Sequence, residues 1–172
     1  RPEVGEDAGL DDLAKSVEQE LARVEGRTEI NFKCVPYTAW SNLDDAFNSS
    51  VAYETMLRSG FDVKALEGMT VTDVANHGDG AGAQTLQEYI ECACSGVMAC
   101  STCQVVVHPN WFVRVGEPDE DEQDMLDLAF DPVPTSRLGC QVVLSKELDG
   151  LVLLLPQKSN NIMDDIPFED PK

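Results

Sequence analysis

The sequence is poor in basic residues and in histidine. Its 172 residues include 12 Lys and Arg against 32 Asp and Glu, which gives a formal net charge of −20, and only two histidines. Such a charge disfavours nucleic acids and anionic membrane surfaces as partners, because both would be repelled. For most of the surface, we interpret the acidity as a means of keeping the protein soluble.

Long apolar runs and catalytic motifs are also lacking. No apolar run approaches the length of a membrane span, and there is no signal-peptide hydrophobic region. No motif pairs a nucleophile with a base. The Gly-rich segment 77–83 lacks the Lys-Ser/Thr end of a phosphate loop, and we predict a flexible lead into the following segment. The sequence thus predicts no catalytic residues and no enzyme with its own turnover.

Cysteine is the residue that carries chemistry in this chain. Four of the six cysteines follow the order C-x5-C-x2-C-x36-C, namely Cys94, Cys100, Cys103 and Cys140. Three lie in one predicted loop, and the fourth is expected from a distant strand. Four thiolates converging on two irons are the ligand set of a 2Fe–2S cluster.

The loop between these cysteines is built from small residues, which a chain needs in order to wrap a cluster closely. They are Ser95, Gly96, Ala99, Ser101 and Thr102. With little side chain in the way, backbone N–H groups can approach the cluster sulfurs and tune the reduction potential.

Zinc and disulfides are the competing interpretations of the cysteines. Structural zinc sites usually present two short-spaced pairs, whereas here a triplet faces one late cysteine. Disulfides suit small secreted domains, and this chain is long enough to build its own core. The spacing favours iron and sulfur over both. Cys34, in a predicted strand, is interpreted as a buried small hydrophobe. Cys92 could exchange with Cys94, but only Cys94 gives the spacing above.

From Cys94 onward, the segments ACSGVMACSTC, DEQDMLDLAF and SRLGCQVVLSKELDGLVLLLP resemble the adrenodoxin or mitochondrial-type 2Fe–2S ferredoxins. The resemblance covers residues 63–156. The five-residue first gap separates this group from plant-type ferredoxins, whose first gap is four. Two departures are evident: many family members carry His where this chain has Gln104, and the lead-in to the first cysteine is YIEC.

The resemblance implies an α+β, β-grasp 2Fe–2S ferredoxin fold with a mixed sheet and one 2Fe–2S cluster. It implies one-electron transfer from a ferredoxin reductase to basic-surfaced redox acceptors in the mitochondrial matrix. By position, the family's cluster ligands correspond to Cys94, Cys100, Cys103 and Cys140. Its partner-recognition acids correspond to Asp121, Asp124 and Asp127.

The residues themselves also predict an acidic helix in this region. No basic residue lies between Arg114 and Arg137, whereas eight acids do: Glu117, Asp119, Glu120, Asp121, Glu122, Asp124, Asp127 and Asp131. The helix macrodipole favours acids in a first helical turn. It does not account for so many on one face, and a docking site for a basic partner does. The apolar face is predicted from Met125, Leu126, Leu128, Ala129 and Phe130.

The remaining sequence predicts three parts. Residues 1–28 form an N-terminal extension with an amphipathic helix over 8–24, and residues 29–157 form the ferredoxin domain. Residues 158–172 form an acidic tail that does not fold alone. Within the domain, strands are predicted over 29–35 and 63–67, a helix begins after Thr70 as N-cap, and residues 36–62 form a helical insertion ending near Gly60. QVVVHPNWF is predicted to be a strand stopped by Pro109, with His108 in a loop.

Two hypotheses for the biological role follow. The first is a free mitochondrial electron carrier. The second is a bridging subunit of a large respiratory assembly such as mitochondrial complex I, on the matrix side, where neighbouring subunits would be the partners. The extra helix and the aromatic-bearing insertion favour the second hypothesis, because a ferredoxin core has no evident need for either.

Overall fold

The computed structural model describes residues 7–43 and 45–157, so the predicted tail at 158–172 lies outside the described residues. Within these ranges the chain forms a five-stranded sheet, α-helices and one 3-10 turn at Lys146–Leu148. The strands are β1 (Glu29–Val35), β2 (Phe61–Leu66), β3 (Gln104–Val107), β4 (Ser136–Leu138) and β5 (Val152–Leu154). The helices are α1 (Asp7–Val24), α2 (Tyr37–Trp40), α3 (Ser50–Ser59), α4 (Val71–His77), α5 (Ala81–Tyr89), α6 (Pro109–Val115) and α7 (Glu120–Leu126).

The sheet is mixed, as predicted, with the strand order β2-β1-β5-β3-β4. β1 pairs antiparallel with β2 and parallel with β5. β3 pairs antiparallel with both β4 and β5. The first strand has the predicted bounds, and the second begins two residues earlier than predicted, at Phe61. No helix in the described ranges is long and apolar enough to cross a membrane.

The two faces of the sheet pack against different parts of the chain. Because strand residues alternate between faces, Ile30, Phe32 and Cys34 enter one core, which we call the inner core. It also contains Cys103 and Cys140, so two predicted cluster ligands are anchored in the main core of the domain.

The insertion forms the second core, which we call the outer core. The buried residues there are Val35, Met56, Val106, Val152 and Leu154. Trp40, Phe47 and Tyr53 pack against them, and Trp40 Nε1 donates a hydrogen bond of 3.0 Å to the Leu155 carbonyl. The helical insertion is thus confirmed, but its aromatic side chains cover the domain's own sheet. Because these aromatic residues pack on the sheet, the insertion does not by itself favour the bridging hypothesis.

The entry to α4 follows the predicted capping chemistry. The Asp73 amide donates to Thr70 Oγ1 at 3.1 Å, and the Thr70 amide donates to Asp73 Oδ2 at 3.0 Å. This capping box satisfies two backbone donors that a helix end would otherwise leave without partners. Thr70 is therefore the N-cap that the sequence indicated.

The Gly-rich segment 77–83 is not one continuous loop, as its prediction as a flexible lead implied: it contains the end of α4, the turn at 78–80 and the start of α5. Helix α5 begins at Ala81 and runs to Tyr89. A Cβ placed on Gly82 would lie 2.0 Å from the Asp62 carbonyl oxygen, so the missing side chain lets α5 approach β2 closely. The glycine serves packing here.

The segment after the third cysteine also differs from its prediction. The strand ends at Val107, and Trp111 and Phe112 lie in α6. His108 is the N-cap of α6 and is 1% exposed, and its Nδ1 accepts a hydrogen bond of 3.2 Å from the Asn110 amide. Pro109 is the first helical residue, where its missing N–H costs nothing.

Candidate iron–sulfur site

The loop between α5 and β3 carries three of the four predicted ligands. Ser95, Gly96 and Met98 adopt positive φ values of 55°, 84° and 55°. This left-handed backbone curls the loop between Cys94 and Cys100. A Cβ on Gly96 would lie 3.8 Å from the Cys140 Cβ, so the curl brings the loop against the fourth cysteine.

Cys140 reaches the loop through the pairing of β3 with β4. Gln104 pairs with Leu138, and the Gly139 amide donates to the Cys103 carbonyl at 2.9 Å. Cys140 therefore follows the end of β4 rather than lying within a strand, as the sequence had suggested. Antiparallel pairing places Cys103 and Cys140 side by side, although 36 residues separate them along the chain.

Gln104, which departs from the family pattern, fits this arrangement. It is buried, and its Nε2 donates to Ser136 Oγ at 3.0 Å. The Val133 amide also donates to that hydroxyl, at 2.9 Å. Gln104 thus links β3 to β4 directly beside Cys103. Unlike the His that many family members carry at this position, its side chain does not ionise.

Hydrogen bonds favour the thiolate form of Cys94. Burial by itself would raise its pKa, but the Ala99 amide and the Cys100 thiol donate to its sulfur. The amides of Gly96 and Val97 also donate to it. Together these donors hold the pKa of Cys94 below its ordinary value. The backbone amides that lower this pKa all belong to the loop between Cys94 and Cys100.

Cys103 and Cys140 behave as one pair. The Cys103 thiol donates to the Cys140 sulfur, which lowers the pKa of Cys140. The same hydrogen bond, together with burial, raises the pKa of Cys103. Two sulfurs close enough to share a proton can also bind one iron.

Hydroxyls complete the lining of the loop. Thr102 Oγ1 lies 3.2 Å from Cys100 Sγ and accepts a hydrogen bond of 3.2 Å from the Ala93 amide. Ser101 Oγ is buried without a hydrogen-bond partner among the described residues. A buried hydroxyl normally has a partner, and a cluster sulfur would supply an acceptor here.

The remaining two cysteines differ in their surroundings. Cys34 is fully buried in the inner core, and burial raises its pKa far above the ordinary value, which confirms the buried-hydrophobe interpretation. Cys92 is half-buried. Burial and the neighbouring Cys94 raise its pKa, and Asn76 partly opposes them. Cys92 thus lies close to the predicted ligands.

The donor set fits a two-iron cluster. In the described part of the chain, no three His, Cys, Asp or Glu side chains are grouped to hold a single metal ion. In a 2Fe–2S cluster each iron takes two thiolates, so no such trio is needed. The paired Cys103 and Cys140, the amide donors at Cys94 and the unpartnered Ser101 hydroxyl all suit that group. The assignment of the four ligands stays a prediction.

Helix α7 carries the predicted docking acids. Its N-cap is Asp119, whose Oδ1 accepts from the Glu122 amide at 2.8 Å. Asp121, Asp124 and Asp127 are all exposed. The helix ends at Leu126, which is buried, while Leu128 and Phe130 beyond it are 49% and 42% exposed. The predicted apolar face is therefore shorter than expected.

One acid of this stretch is not available for docking. Glu122 is 1% exposed, and its two carboxylate oxygens accept from Arg137 Nε and Nη2, each at 2.8 Å. Its Oε1 also accepts from the Leu138 amide at 2.8 Å. Arg137 Nη1 donates to the Gly116 carbonyl at 2.6 Å. This network fixes α7 to β4, next to the Cys140 turn.

Sequence reasoning missed this pair. It counted Glu122 as one of the surface acids, although the arginine that ends the stretch without basic residues is its partner. The signal available was a lone arginine directly before Leu138, Gly139 and Cys140, since a buried charge requires an opposite charge.

The chain is similar in sequence to a mitochondrial adrenodoxin homolog and to 2Fe–2S ferredoxins. It is 45% identical over 96 residues to the mitochondrial adrenodoxin homolog of Saccharomyces cerevisiae, which covers 56% of this chain and 51% of the relative. It is 40% identical over 100 residues to a 2Fe–2S ferredoxin of Rickettsia montanensis, over 58% of this chain and 82% of that protein. The chain therefore spans about half the length of the yeast relative. No family model matches.

Solved structures agree with these relatives. A ferredoxin from Rhodopseudomonas palustris HaA2 superposes with a TM-score of 0.56 and 26% identity, over 76% of this chain and 99% of that one. The covalent putidaredoxin reductase–putidaredoxin complex gives a TM-score of 0.50 and 25% identity, over 72% of this chain and 97% of that one.

The chain belongs to the 2Fe–2S ferredoxins of the adrenodoxin type, and its fold is the β-grasp predicted from the resemblance. One 2Fe–2S cluster is the cofactor of this family. The relatives reported above carry ferredoxin or adrenodoxin names, which favours the electron-carrier hypothesis over the respiratory-assembly one.

Proposed function

We propose that this protein carries single electrons, with one 2Fe–2S cluster held by Cys94, Cys100, Cys103 and Cys140, and has no catalytic turnover of its own. The observation that supports this most strongly is the convergence of the small-residue loop and the β4 turn, which brings Gly96 against Cys140. When bound, the cluster supplies a one-electron couple.

The chain's own residues hold and tune this site. Cys103 and Cys140 are anchored in the inner core, so their positions are rigid. The amides that donate to Cys94 stabilise negative charge on its sulfur. The Glu122–Arg137 pair fixes the β4 end that precedes Cys140.

We propose that a ferredoxin reductase delivers the electron by docking on the exposed acids of α7, Asp121, Asp124 and Asp127. The solved complex of putidaredoxin with its reductase supports reductase partnering in this family. Basic-surfaced redox acceptors would use the same face, since complementary charge steers association. The mitochondrial name of the yeast relative supports a mitochondrial location, and we propose the matrix.

The cluster assignment is tested by metal analysis of the purified protein. Two irons and two acid-labile sulfides per chain are expected, with a rhombic EPR signal on reduction. Replacing any of Cys94, Cys100, Cys103 or Cys140 by Ser should impair assembly. Cys34→Ser and Cys92→Ser, as matched controls, should leave the visible spectrum largely unchanged. Zinc, or iron without sulfide, would overturn the assignment.

The docking assignment is tested by charge reversal. Asp124→Lys with Asp127→Lys should weaken association with a competent reductase and leave the visible spectrum intact. As the control, Glu18→Lys with Glu20→Lys makes the same change of net charge on α1 and should have little effect on association with the reductase. Wild-type association should weaken with rising ionic strength. Equal losses in the two double variants would show a dependence on net charge alone, and would remove α7 from the docking site.

A further inference from the structure

Helix α1 is attached to the domain by its polar side. Lys15 Nζ lies 3.5 Å from Asp73 Oδ1 on α4. Arg23 forms an ion pair with Asp79, in the turn between α4 and α5. Both ion pairs therefore lie on the side of α1 that is turned away from Leu13, Val17 and Leu21.

The apolar side of the helix faces away from the domain. Leu13, Val17 and Leu21 stand four residues apart, so they lie on one face. They are 61%, 51% and 55% exposed. Apart from Leu128 and Phe130, which follow α7, other large exposed hydrophobics are scattered, such as Val51 on α3 and Val113 on α6. A stripe of three on one helix is the arrangement that marks an interaction surface, whereas single exposed residues do not.

Acidic side chains border the stripe. Glu20 lies beside it on one side, and Glu18 and Glu25 lie beside it on the other, and all three are exposed. The two cations whose side chains the structure describes on this helix pair with Asp73 and Asp79, and Arg23 Nη1 also donates to Glu20 Oε1 at 3.2 Å, so Glu18 and Glu25 are the border acids without a described ion pair. The surface offered to a partner is thus apolar along its centre and negative at its edges.

This charge pattern selects among possible occupants. A second copy of the chain would bring acidic borders against acidic borders. An anionic membrane surface would be repelled in the same way. A helix with an apolar stripe bordered by Lys or Arg complements the surface in both respects.

We propose that α1 is a second docking surface, separate from the acidic face of α7, and that it binds an amphipathic, basic-bordered helix of a partner protein. Leu13, Val17 and Leu21 form the apolar contact, and Glu18, Glu20 and Glu25 pair with the partner's cations. Electron exchange and attachment to this partner then use different faces of the molecule.

The test uses the full cluster-loaded chain and a designed 18-residue helical peptide with a Leu stripe and Lys borders. Calorimetry measures the affinity, and hydrogen exchange maps the contact. Added protection should appear in α1. Leu13→Gln with Val17→Gln and Leu21→Gln should weaken binding by roughly tenfold or more, because interface centres are dominated by buried apolar anchors.

Two further variants make the result decisive. Val51→Gln with Val113→Gln removes exposed apolar residues elsewhere and should leave the affinity unchanged. Glu18→Lys with Glu20→Lys and Glu25→Lys should transfer preference from the Lys-bordered peptide to the same peptide with Glu borders. This charge exchange decides the matter if the triple Gln variant does not fold.

Several results would overturn the proposal. One is peptide binding that maps to α7, and another is an affinity that the triple Gln variant leaves intact. Absence of the exchange in peptide preference would do the same. Self-association in sedimentation that the triple variant abolishes would identify a second copy as the occupant. Binding to phosphatidylcholine vesicles that depends on Leu13, Val17 and Leu21 would identify a lipid surface.

Discussion

Helix α1 and the insertion at residues 36–62 are the two parts that the sequence predicts as additions to the ferredoxin core, and the structure attaches them in opposite ways. The insertion turns its apolar side chains onto the sheet, where Met56 is fully buried. Among the side chains that the structure describes, α1 turns Leu13, Val17 and Leu21 outward and pairs Lys15 and Arg23 with acids of the domain. Both segments have amphipathic patterns. The apolar face of the insertion is covered by the sheet, whereas that of α1 is exposed.

The insertion and α1 also differ in how strongly their contacts hold them to the rest of the protein. Burial of an apolar side chain stabilises by about 1.5–3 kcal/mol, whereas an exposed ion pair contributes about 0–1 kcal/mol. By this measure the contacts of the insertion hold it firmly to the sheet, whereas the described side-chain contacts of α1 hold it weakly.

The largest effect on stability should come from the buried Glu122–Arg137 ion pair. Its loss can be compared with the loss of an exposed ion pair on α1. Glu122→Ala leaves the Arg137 guanidinium buried without its carboxylate, and we expect a loss of about 3–5 kcal/mol of unfolding free energy. Arg23→Ala removes an exposed pair and should cost less than about 1 kcal/mol. Denaturant unfolding followed by circular dichroism measures both. Similar losses would mean that α1 is held as firmly as α7.

The next effect compares the apolar residues of the two additions. Met56→Ala should cost about 2–5 kcal/mol, because it opens a cavity between α3 and the sheet. Leu21→Ala on α1 should change stability by less than about 0.5 kcal/mol, since that side chain is already exposed. Thermal unfolding of the cluster-loaded protein checks the difference. A large loss in Leu21→Ala would show that its stripe is covered within the protein.

Removal of the whole extension is the direct test of its independence. Deleting residues 1–28 should leave the cluster spectrum and reduction by a reductase nearly intact. The loss of unfolding free energy should stay below about 3.5 kcal/mol, since the described contacts that are removed are two exposed ion pairs and the hydrogen bond that the Glu67 amide donates to the Thr28 carbonyl. Absorption spectroscopy and unfolding curves measure these quantities. Loss of the cluster in the truncated protein would make α1 part of the core.

The smallest effect concerns pH and the outer core. The His108 ring lies 4.6 Å from that of Tyr53 and 6.4 Å from that of Phe47, between centroids. Burial lowers the pKa of His108, and the Ala46 carbonyl opposes only part of this effect. The unfolded chain therefore takes up a proton as pH falls below about 6.5, while the folded protein resists it. Stability should be complete above this pH and decline as pH falls towards the folded pKa.

The matched variant for this effect is His108→Asn. Asn can still cap α6 but does not titrate, so the decline between pH 7.5 and 5.5, an interval of about one unit on either side of the ordinary value, should become shallower. Unfolding midpoints measured across that interval compare the two proteins. An identical pH dependence would show that His108 is not responsible.

Local patterns and spacing in the sequence were enough to predict much of the domain. The alternation in residues 29–35 fixed β1, and the Thr70–Asp73 pair fixed the start of α4, because both depend on near neighbours. The C-x5-C-x2-C-x36-C order indicated the candidate ligands, since few metal groups suit that spacing.

Tertiary structure decided how these parts meet. It placed Cys140 beside Cys103 through the pairing of β3 with β4, and it buried Glu122 against Arg137. It also turned the apolar side of α3 inward and that of α1 outward. An amphipathic pattern specifies that a helix has two faces, but only the competition among all elements for the sheet surface determines which face is covered.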